Sequence, residues 1–377
     1  MRIGRDRVIH KGDGRAAQPL RKSNRVRTFS KQQRVDHSYS LPRACRTVGS
    51  VNEAPRVRKK RAAVVYNPLK VDIQRLKASV EATEKAAGWA KTAWFETSIR
   101  DAGQDVTASA IRRGASVVLA AGGDGTVRAV AEALRGSGVA LAVLPAGTGN
   151  LLARNLELPL SDLDASVAIA FAGDERRIDL GMVKIVRADG DSQEHAFLVM
   201  AGLGLDAKMI KNTSGKLKKA VGWLAYVDGI ARSLPELKPI RLSYRLDNEP
   251  TKSIRVHTII VGNCGLLPGG LLLMPDAKPD DGILDVAALR PRGPFGWAKV
   301  WRKVAWENGV LRKSALGRRI IDLSADVRDV TYVTGRTMRM TVEEPQDFQL
   351  DGDEFGEAKS VHTWVDPGAL TVKVPAA

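Results

Sequence analysis

The stretch LAAGGDGTVRAV, residues 119–130, joins an apolar run to a helical pattern through three glycines and one carboxylate. The apolar positions beyond it have the i, i+3, i+4 and i+7 spacing of one helix face and are Val127, Val130, Ala131 and Leu134. Glycine permits a closer approach to the backbone than any other residue allows. The stretch therefore predicts a buried strand, a tight turn that faces a ligand or another backbone, and a helix.

Strand-like and helix-like segments alternate through residues 62–158. The strand-like segments are AAVVYNP, TAWFETS, SVVLAAG and VALAVLP, and DIQRLKASVEATEKAAG is the first amphipathic helix. This alternation is typical of a parallel sheet with helices on both faces. We therefore predict an N-terminal three-layer α/β domain with a parallel sheet.

After about residue 177 the pattern changes to short strand-like pieces, such as RTMRMTVE and ALTVKV, in which apolar and polar residues alternate. Such alternation indicates antiparallel sheet with one solvated face, and we predict a C-terminal antiparallel β-sandwich domain. The predicted organisation is a basic disordered extension at 1–60, the α/β domain at 61–176 and the β-rich domain at 177–360. Residues from about 361 to 377 are a candidate for returning to the α/β domain.

The net charge of +17 is concentrated at the N-terminus, where residues 1–60 hold 17 Lys and Arg against 4 Asp and Glu. The remaining residues hold 42 against 38, which gives no reason to expect a nucleic-acid partner. The extension is interpreted as disordered or as a mis-assigned translation start, and the alternative is a basic arm for anionic lipid or nucleic acid. Two cysteines and the lack of a long apolar run fit a cytoplasmic protein.

A second glycine-rich turn, PAGTGN at 145–150, follows the next strand. Ligands of open α/β sheets bind beyond the carboxyl ends of strands, where helix N-termini attract phosphates. The two turns together predict a phosphate-binding site, whereas either turn alone would more readily be a tight loop. Asp124 would repel phosphate unless a divalent cation lay between them, so the pattern also implies Mg²⁺.

Seven motifs together resemble the diacylglycerol kinase catalytic family of lipid kinases, which includes bacterial diacylglycerol kinases and sphingosine kinases. They are NP (67–68), GGDGTV (122–127), PAGTGNLLARNL (145–156), RRIDLG (176–181), AGLGLDA (201–207), PDAKPDDGILDV (275–286) and LDGDEF (350–355). The resemblance runs from about Ala62 to the C-terminus. The motif GGDGT alone is shared with NAD kinases, but the combination is specific.

The resemblance implies ATP-dependent phosphorylation of a lipid hydroxyl, with ATP held in a cleft between the two domains. The residues that would hold ATP are Asn67, Gly122, Gly123, Gly125, Thr126, Gly147, Thr148, Gly149 and Asn150. Asp351 would match the family's catalytic base, with Asp124 as an alternative base or a Mg²⁺ ligand. Asp281 would match the family's structural Mg²⁺ site, and Asp206 a position near the lipid head group, against the alternative of a helix cap.

Three positions depart from the family pattern. Asp353 stands where the family more often has Glu, and Glu354 is a substitute for that second acid. Leu151 and Leu152 follow Asn150 where many bacterial members have Asp-Phe, and LKVD follows the NP motif where a glycine-bearing turn is common. The first departure affects the role of the second acid, and the other two affect substrate and nucleotide details.

The expected acceptor is diacylglycerol, which would give phosphatidic acid. A sphingoid base or another lipid alcohol stays open, as do a soluble acceptor such as NAD and a non-enzymatic sensor of nucleotide or lipid.

We expect peripheral contact with the inner face of the cell membrane, and a homodimer is left open. The segments that could make this contact are GKLKKAVGWLAYV (215–227), FGWAKVWRKVAW (295–306) and GLLPGGLLLMP (265–275). Helices that cover the β-sandwich would explain the first two equally well.

Overall fold

The computed structural model describes residues 59–204, 239–267, 271–291 and 330–376. In these ranges no helix combines the length and apolar character needed to cross a membrane. The extension predicted at 1–60, except its last two residues, lies outside the described part, as do Asp206 and the two tryptophan-containing segments. The apolar loop at 265–275 lies partly outside it.

The N-terminal half of the described chain forms a parallel sheet in the order β2-β1-β3-β4. Its strands are β1 (Arg61–Tyr66), β2 (Ala90–Glu96), β3 (Val117–Gly122) and β4 (Ala140–Pro145). The strand β3 is buried along its whole length, as expected for a central strand with helices on both faces.

Five helices accompany this sheet: α1 (Ile73–Ala87), α2 (Gln104–Arg112), α3 (Asp124–Leu134), α4 (Leu151–Asn155) and α5 (Leu163–Ala172). The helix α1 begins after Asp72, whose side chain accepts two backbone N–H bonds, and ends at the left-handed Gly88. Alternate residues of β1 point to opposite faces, Val64 to the core of α1 and α5 and Val65 to that of α2 and α3. The predicted three-layer α/β architecture is confirmed.

The remaining strands pair mainly antiparallel and enclose a second core. They are β5 (Asp174–Val186), β6 (Ser192–Phe197), β7 (Met200–Leu203), β8 (Ile240–Leu246), β9 (Lys252–Val256), β10 (Thr258–Gly262), β11 (Leu266–Leu267), β12 (Leu271–Leu272), β13 (Leu284–Leu289), β14 (Val330–Gly335), β15 (Thr337–Leu350) and β16 (Asp353–Val374). Met338, Met340 and Val342 of β15 face this core, as their alternation with polar residues predicts. The antiparallel β-sandwich is therefore also confirmed.

Strand β16 connects the two halves of the described chain. It pairs with β15 near its beginning, whereas near its end Val372 pairs with Leu141 of β4 in parallel. Strand β5 runs through the predicted boundary at residue 176 without a break and pairs with β16 along most of its length. A single continuous sheet therefore links the two predicted domains, whose limits stay a prediction.

Candidate active site

The two glycine-rich turns lie against each other at the carboxyl ends of β3 and β4. Gly122 and Pro145 are register partners, and the Ala146 N–H donates to the Gly122 carbonyl at 2.9 Å. A β-carbon added at Gly147 would lie 2.7 Å from the α-carbon of Gly123. Only glycine permits this backbone contact, so the glycines join the two turns into one surface.

Helix α3 begins at this surface. Its N-cap, Gly123, is extended and provides no side-chain hydrogen bond to the helix. The first backbone N–H groups of such a helix attract anions, because the donors and the helix dipole point the same way. Thr126 packs against the turn, 2.7 Å from the position of a β-carbon at Gly122. The start of α3 can therefore hold a phosphate group.

Asp124 connects the first turn to the second. Its carboxylate accepts the N–H of Asn150 at 2.9 Å and the N–H of Leu151 at 2.5 Å, at the beginning of α4. The pKa of Asp124 is raised by burial, although the two amide bonds act in the opposite direction. No side chain at the α4 N-cap itself makes a capping bond, so Asp124 caps that helix from the neighbouring turn.

Asn150 and Asn67 shape their loops through their own side chains. Asn150 is left-handed, accepts the Gly147 N–H at 2.9 Å and donates to the Gly147 carbonyl at 3.0 Å. Asn67 accepts the Leu69 N–H at 3.0 Å, and its backbone N–H donates to Ala121. Both residues therefore hold the backbone of the site, and Thr148 is exposed beside them.

Lys70 adds a positive charge that the sequence interpretation missed. A β-carbon added at Gly123 would lie 2.6 Å from the Lys70 Nζ. The lysine follows β1, which neighbours β3, so its ammonium group reaches over the start of α3. The LKVD departure after the NP motif contained this residue, but only the sheet order shows that it reaches Gly123.

Asp351 is a buried carboxylate with three backbone partners. It accepts the N–H groups of Leu198, Val199 and Met200 at 2.8, 2.8 and 3.0 Å, and only 4% of its surface is exposed. Burial raises the pKa of Asp351 to about 6, against the effect of these bonds. Its backbone is left-handed, and the side chain points into the segment that joins β6 to β7. This geometry is that of a carboxylate that holds a loop.

Asp353, at the start of β16, faces the glycine-rich turn instead. A β-carbon added at Gly125 would lie 2.5 Å from the Asp353 Oδ2. Its side chain is half-exposed, and the Arg128 Nη2 lies 3.8 Å from its carboxylate. Of the two acids in the DGD motif, Asp353 is therefore the one that a ligand at the start of α3 can reach.

Arg128 is the second residue that the sequence interpretation missed. The residue is 6% exposed, and its guanidinium lies 4.6 Å from the centre of the Phe355 ring and 3.8 Å from both Glu132 and Asp353. Among the residues that the structure describes, its Nε and Nη1 atoms have no hydrogen-bond acceptor. The helical spacing placed residue 128 on α3 but gave no sign that an arginine there would be buried beside an acid of β16.

The predicted metal residue Asp281 lies in a separate acidic turn. Its carboxylate accepts the Ile283 N–H at 3.1 Å, while burial and the nearby Asp281 and Asp276 raise the pKa of Asp285 to about 6. Asp179 fixes this turn by accepting the N–H groups of Gly282 and Gly368, both at 2.7 Å. Oxygen ligands of this kind suit Mg²⁺. In the described ranges no three potential ligands converge on one point, so the metal role of Asp281 stays a prediction.

Comparison with known proteins identifies two matching family models. The model described as the diacylglycerol kinase catalytic domain matches residues 61–183, and the YegS C-terminal NAD kinase beta sandwich-like domain matches residues 199–306. The Pseudomonas aeruginosa (strain UCBPP-PA14) protein named "Probable lipid kinase YegS-like" is 33% identical over 279 residues, which are 72% of this chain and 80% of that protein. The chain belongs to the diacylglycerol kinase catalytic-domain family of lipid kinases.

Two further members of this family show the extent of the likeness. A diacylglycerol kinase of Mycobacterium tuberculosis (strain H37Rv) is 32% identical over 181 residues, 48% of this chain and 56% of that protein. The crystal structure of a diacylglycerol kinase from Bacillus anthracis (strain Sterne) has a TM-score of 0.57 at 18% identity, covering 84% of this chain and 97% of the other. The structural likeness supports the fold, and the sequence likeness establishes the family.

Within this family frame, the structure brings most of the predicted site residues together. Asn67 and the residues of both glycine-rich turns surround the start of α3, with Asp124 between the turns and Asp353 opposite Gly125. Asp351 lies behind them and Asp281 apart from them. Two carboxylates beside a phosphate-binding turn suit Mg²⁺, which binds through one or two carboxylates and substrate phosphates.

Proposed function

We propose that this chain transfers the γ-phosphate of ATP to a hydroxyl group of a membrane lipid, with diacylglycerol as the favoured acceptor. The observation that carries the proposal is the approach of Asp353 to Gly125. It places an acid of the β-rich half beside the phosphate-binding turn of the α/β half. Phosphoryl transfer requires a held phosphate and an acceptor beside a proton-accepting group, and this arrangement supplies both.

The backbone N–H groups at the start of α3 and the ammonium of Lys70 hold the phosphates of ATP in this proposal. Both are positively polarised and meet at Gly123, so they neutralise charge that builds up on the transferred group. Mg²⁺, if held beside Asp124, would supply further neutralisation and orient the phosphates, which leaves the Asp353 carboxylate free to accept a proton.

Asp353 accepts the proton of the lipid hydroxyl as that oxygen attacks the γ-phosphorus. The new oxygen–phosphorus bond forms while the bond to the β-phosphate bridging oxygen breaks, and ADP leaves with the bond's electron pair. Asp351 acts indirectly by holding the segment between β6 and β7 with three hydrogen bonds. Asp124 likewise positions the second turn through α4. This division of roles favours Asp353 over the Asp351 assignment that the family resemblance implies.

The choice of acceptor rests on the names of relatives, which are lipid kinases and a diacylglycerol kinase. A sphingoid base or another lipid alcohol has the same reacting hydroxyl and fits the same mechanism. A soluble acceptor such as NAD is the other candidate, because the C-terminal family model is described as NAD kinase-like. Use of a membrane lipid would place the enzyme at the inner face of the cell membrane.

The test presents a panel of lipid alcohols in mixed detergent micelles, together with NAD, to the full chain and labelled ATP. We expect label in phosphatidic acid, and loss of labelling when EDTA removes Mg²⁺. Label in a different lipid product would replace the acceptor, and label in NADP alone would replace the lipid-kinase proposal. The Asp353→Asn variant, which should still bind ATP, identifies labelling that depends on this site.

A further inference from the structure

Three cations and a histidine form a row across one face of the β-rich half. Arg245 of β8 is the register partner of Arg339 of β15, and Arg339 is also the partner of His362 of β16. His362 in turn pairs with Lys184 of β5, whose other partner is Glu194 of β6. Side chains directly opposite one another on neighbouring strands share a face, so the row crosses four strands before it meets one acid.

The cations of this row are close enough to act on one another. Burial lowers the pKa of His362, and the charges of Arg339, Arg245 and Lys184 lower it further. The Arg and Lys side chains are exposed, and His362 is half-buried against Trp364, with ring centres 5.1 Å apart. The described residues place no carboxylate within ion-pair distance of Arg245, Arg339 or Lys184.

Like charges directly opposite on adjacent strands destabilise a sheet. Neighbouring strands are about 4.8 Å apart, so the charges of the row repel one another across distances shorter than the Debye length at physiological salt. A polar residue such as Thr or Gln at these positions would avoid the repulsion. The row therefore destabilises the free protein. The binding of an anionic partner would neutralise its positive charges, so we expect such a partner at this face.

The same face continues as an open depression of about 480 Å³ beside the row, lined by both polar and apolar residues. Hydroxyl side chains form a second row, two residues from the first along each strand. In this row Ser243 is the register partner of both Ser253 and Thr341. Two residues further, Arg241 lies opposite Arg255, with Glu343 at 3.9 Å from Arg241. Hydroxyl donors between two sets of cations suit the binding of several phosphate groups at once.

The chain itself offers no acidic segment to cover this face. Residues 1–58 hold 15 Lys and Arg against 4 Asp and Glu, residues 205–238 hold 7 against 3, and residues 292–329 hold 9 against 4. Each of these segments, which lie outside the described ranges, is thus net positive. The charge balance of these segments therefore favours another molecule as the source of the complementary charge.

We propose that this face, defined by Arg245, Arg339, Lys184, Arg241 and Arg255, docks the protein on the anionic phospholipid head groups of a membrane. A sheet surface with cations on several strands contacts many head groups at once, and each Lys or Arg near such a surface adds to the attraction. The choice of a membrane over another polyanion rests on the proposed lipid-kinase function. The five residues of this face are not among those assigned to phosphate binding or proton transfer, so docking and phosphoryl transfer are separable.

The experiment measures flotation of the full chain with vesicles of phosphatidylcholine alone and of phosphatidylcholine with phosphatidylglycerol. We expect binding to the anionic vesicles only, and a decrease of roughly 25-fold for the double variant Arg245→Gln/Arg339→Gln, from about fivefold per cation. The matched control is Lys85→Gln/Lys91→Gln, which removes two exposed lysines of the α/β half. Its binding should change by less than about twofold if the face is specific.

Equal losses for the two double variants would overturn the proposal, because binding would then follow net charge alone. The proposal would also be wrong if the Arg245/Arg339 variant bound the anionic vesicles as well as wild type does. This holds whether or not the variant binds another polyanion, a short DNA duplex, less well. Lipid phosphorylation in detergent micelles tests the proposed kinase activity independently of membrane docking. There the Arg245/Arg339 variant should match the wild type, and failure of all variants in micelles would count against the kinase proposal while leaving the vesicle result intact.

Discussion

The carboxylate of Asp353 lies against Gly125, in the space that a β-carbon at residue 125 would occupy. The two residues come from opposite ends of the described chain and from different layers of the fold. Gly125 belongs to the first turn of α3, and Asp353 begins the strand that returns to β4. Their proximity brings the β15–β16 turn next to the phosphate-binding turn.

Replacing Asp353 by Asn should reduce kcat by about 10²–10⁴-fold, the usual contribution of a general base. The KM for ATP should change little, because the amides of α3 and Lys70 are retained. The matched control is Asp347→Asn, which removes an exposed acid of β15. Steady-state kinetics in mixed micelles provide the measurement. A variant with wild-type kcat would show that Asp353 does not accept the proton.

Replacing Asp351 by Asn should lower thermal stability as well as activity, since three backbone N–H groups lose their carboxylate. The effect should depend on pH. The folded-state pKa of about 6 lies above the ordinary 3.8, so the stabilisation from this group is complete below 3.8 and is lost as the pH rises through 6. Wild type should therefore lose stability relative to the neutral Asn variant between about pH 4 and pH 6, which thermal unfolding measures. A constant difference in midpoint would contradict this pKa.

The local parts of the fold and site were predictable because each depends on neighbours in sequence. The glycines of 122–125 and the helical spacing from Val127 predicted β3, the turn and α3. The roles of the acids could not be predicted from the sequence, because they depend on contacts between distant segments. Asp124 could be interpreted as a metal ligand, but its bonds to Asn150 and Leu151 follow from the packing of α4. The contrast between Asp351 and Asp353 likewise depends on which way a two-residue turn faces.

Replacing Lys70 by Met should raise the KM for ATP by roughly tenfold, since a charged hydrogen-bonding group near phosphate is lost. The kcat should fall less, because Asp353 is unaffected. The increase in KM should be larger at low ionic strength, where screening is weak. Lys85→Met removes an exposed lysine of α1 and serves as the control. Equal KM values for the two variants would exclude Lys70 from the nucleotide site.

Replacing Arg128 by Met should reduce kcat by about 10–100-fold, because Asp353 loses the guanidinium that lies 3.8 Å away and small displacements of reacting groups are costly. Its guanidinium lies near Glu132, Asp353 and Phe355, so we expect it to position Asp353 rather than to bind ATP. Lys at this position should restore part of the activity through its charge, though it lacks the planar group that stacks on Phe355.

The comparison for Arg128 combines kinetics with thermal unfolding, because a buried arginine can also be needed for stability. The Arg112→Met variant, which changes an exposed arginine of α2, is the matched control. If Arg128→Met and Arg128→Lys unfold at the same temperature but differ in kcat, the charge beside Asp353 is what matters. If kcat falls in parallel with the unfolding temperature in both Arg128 variants, the arginine serves only to pack α3 against β16.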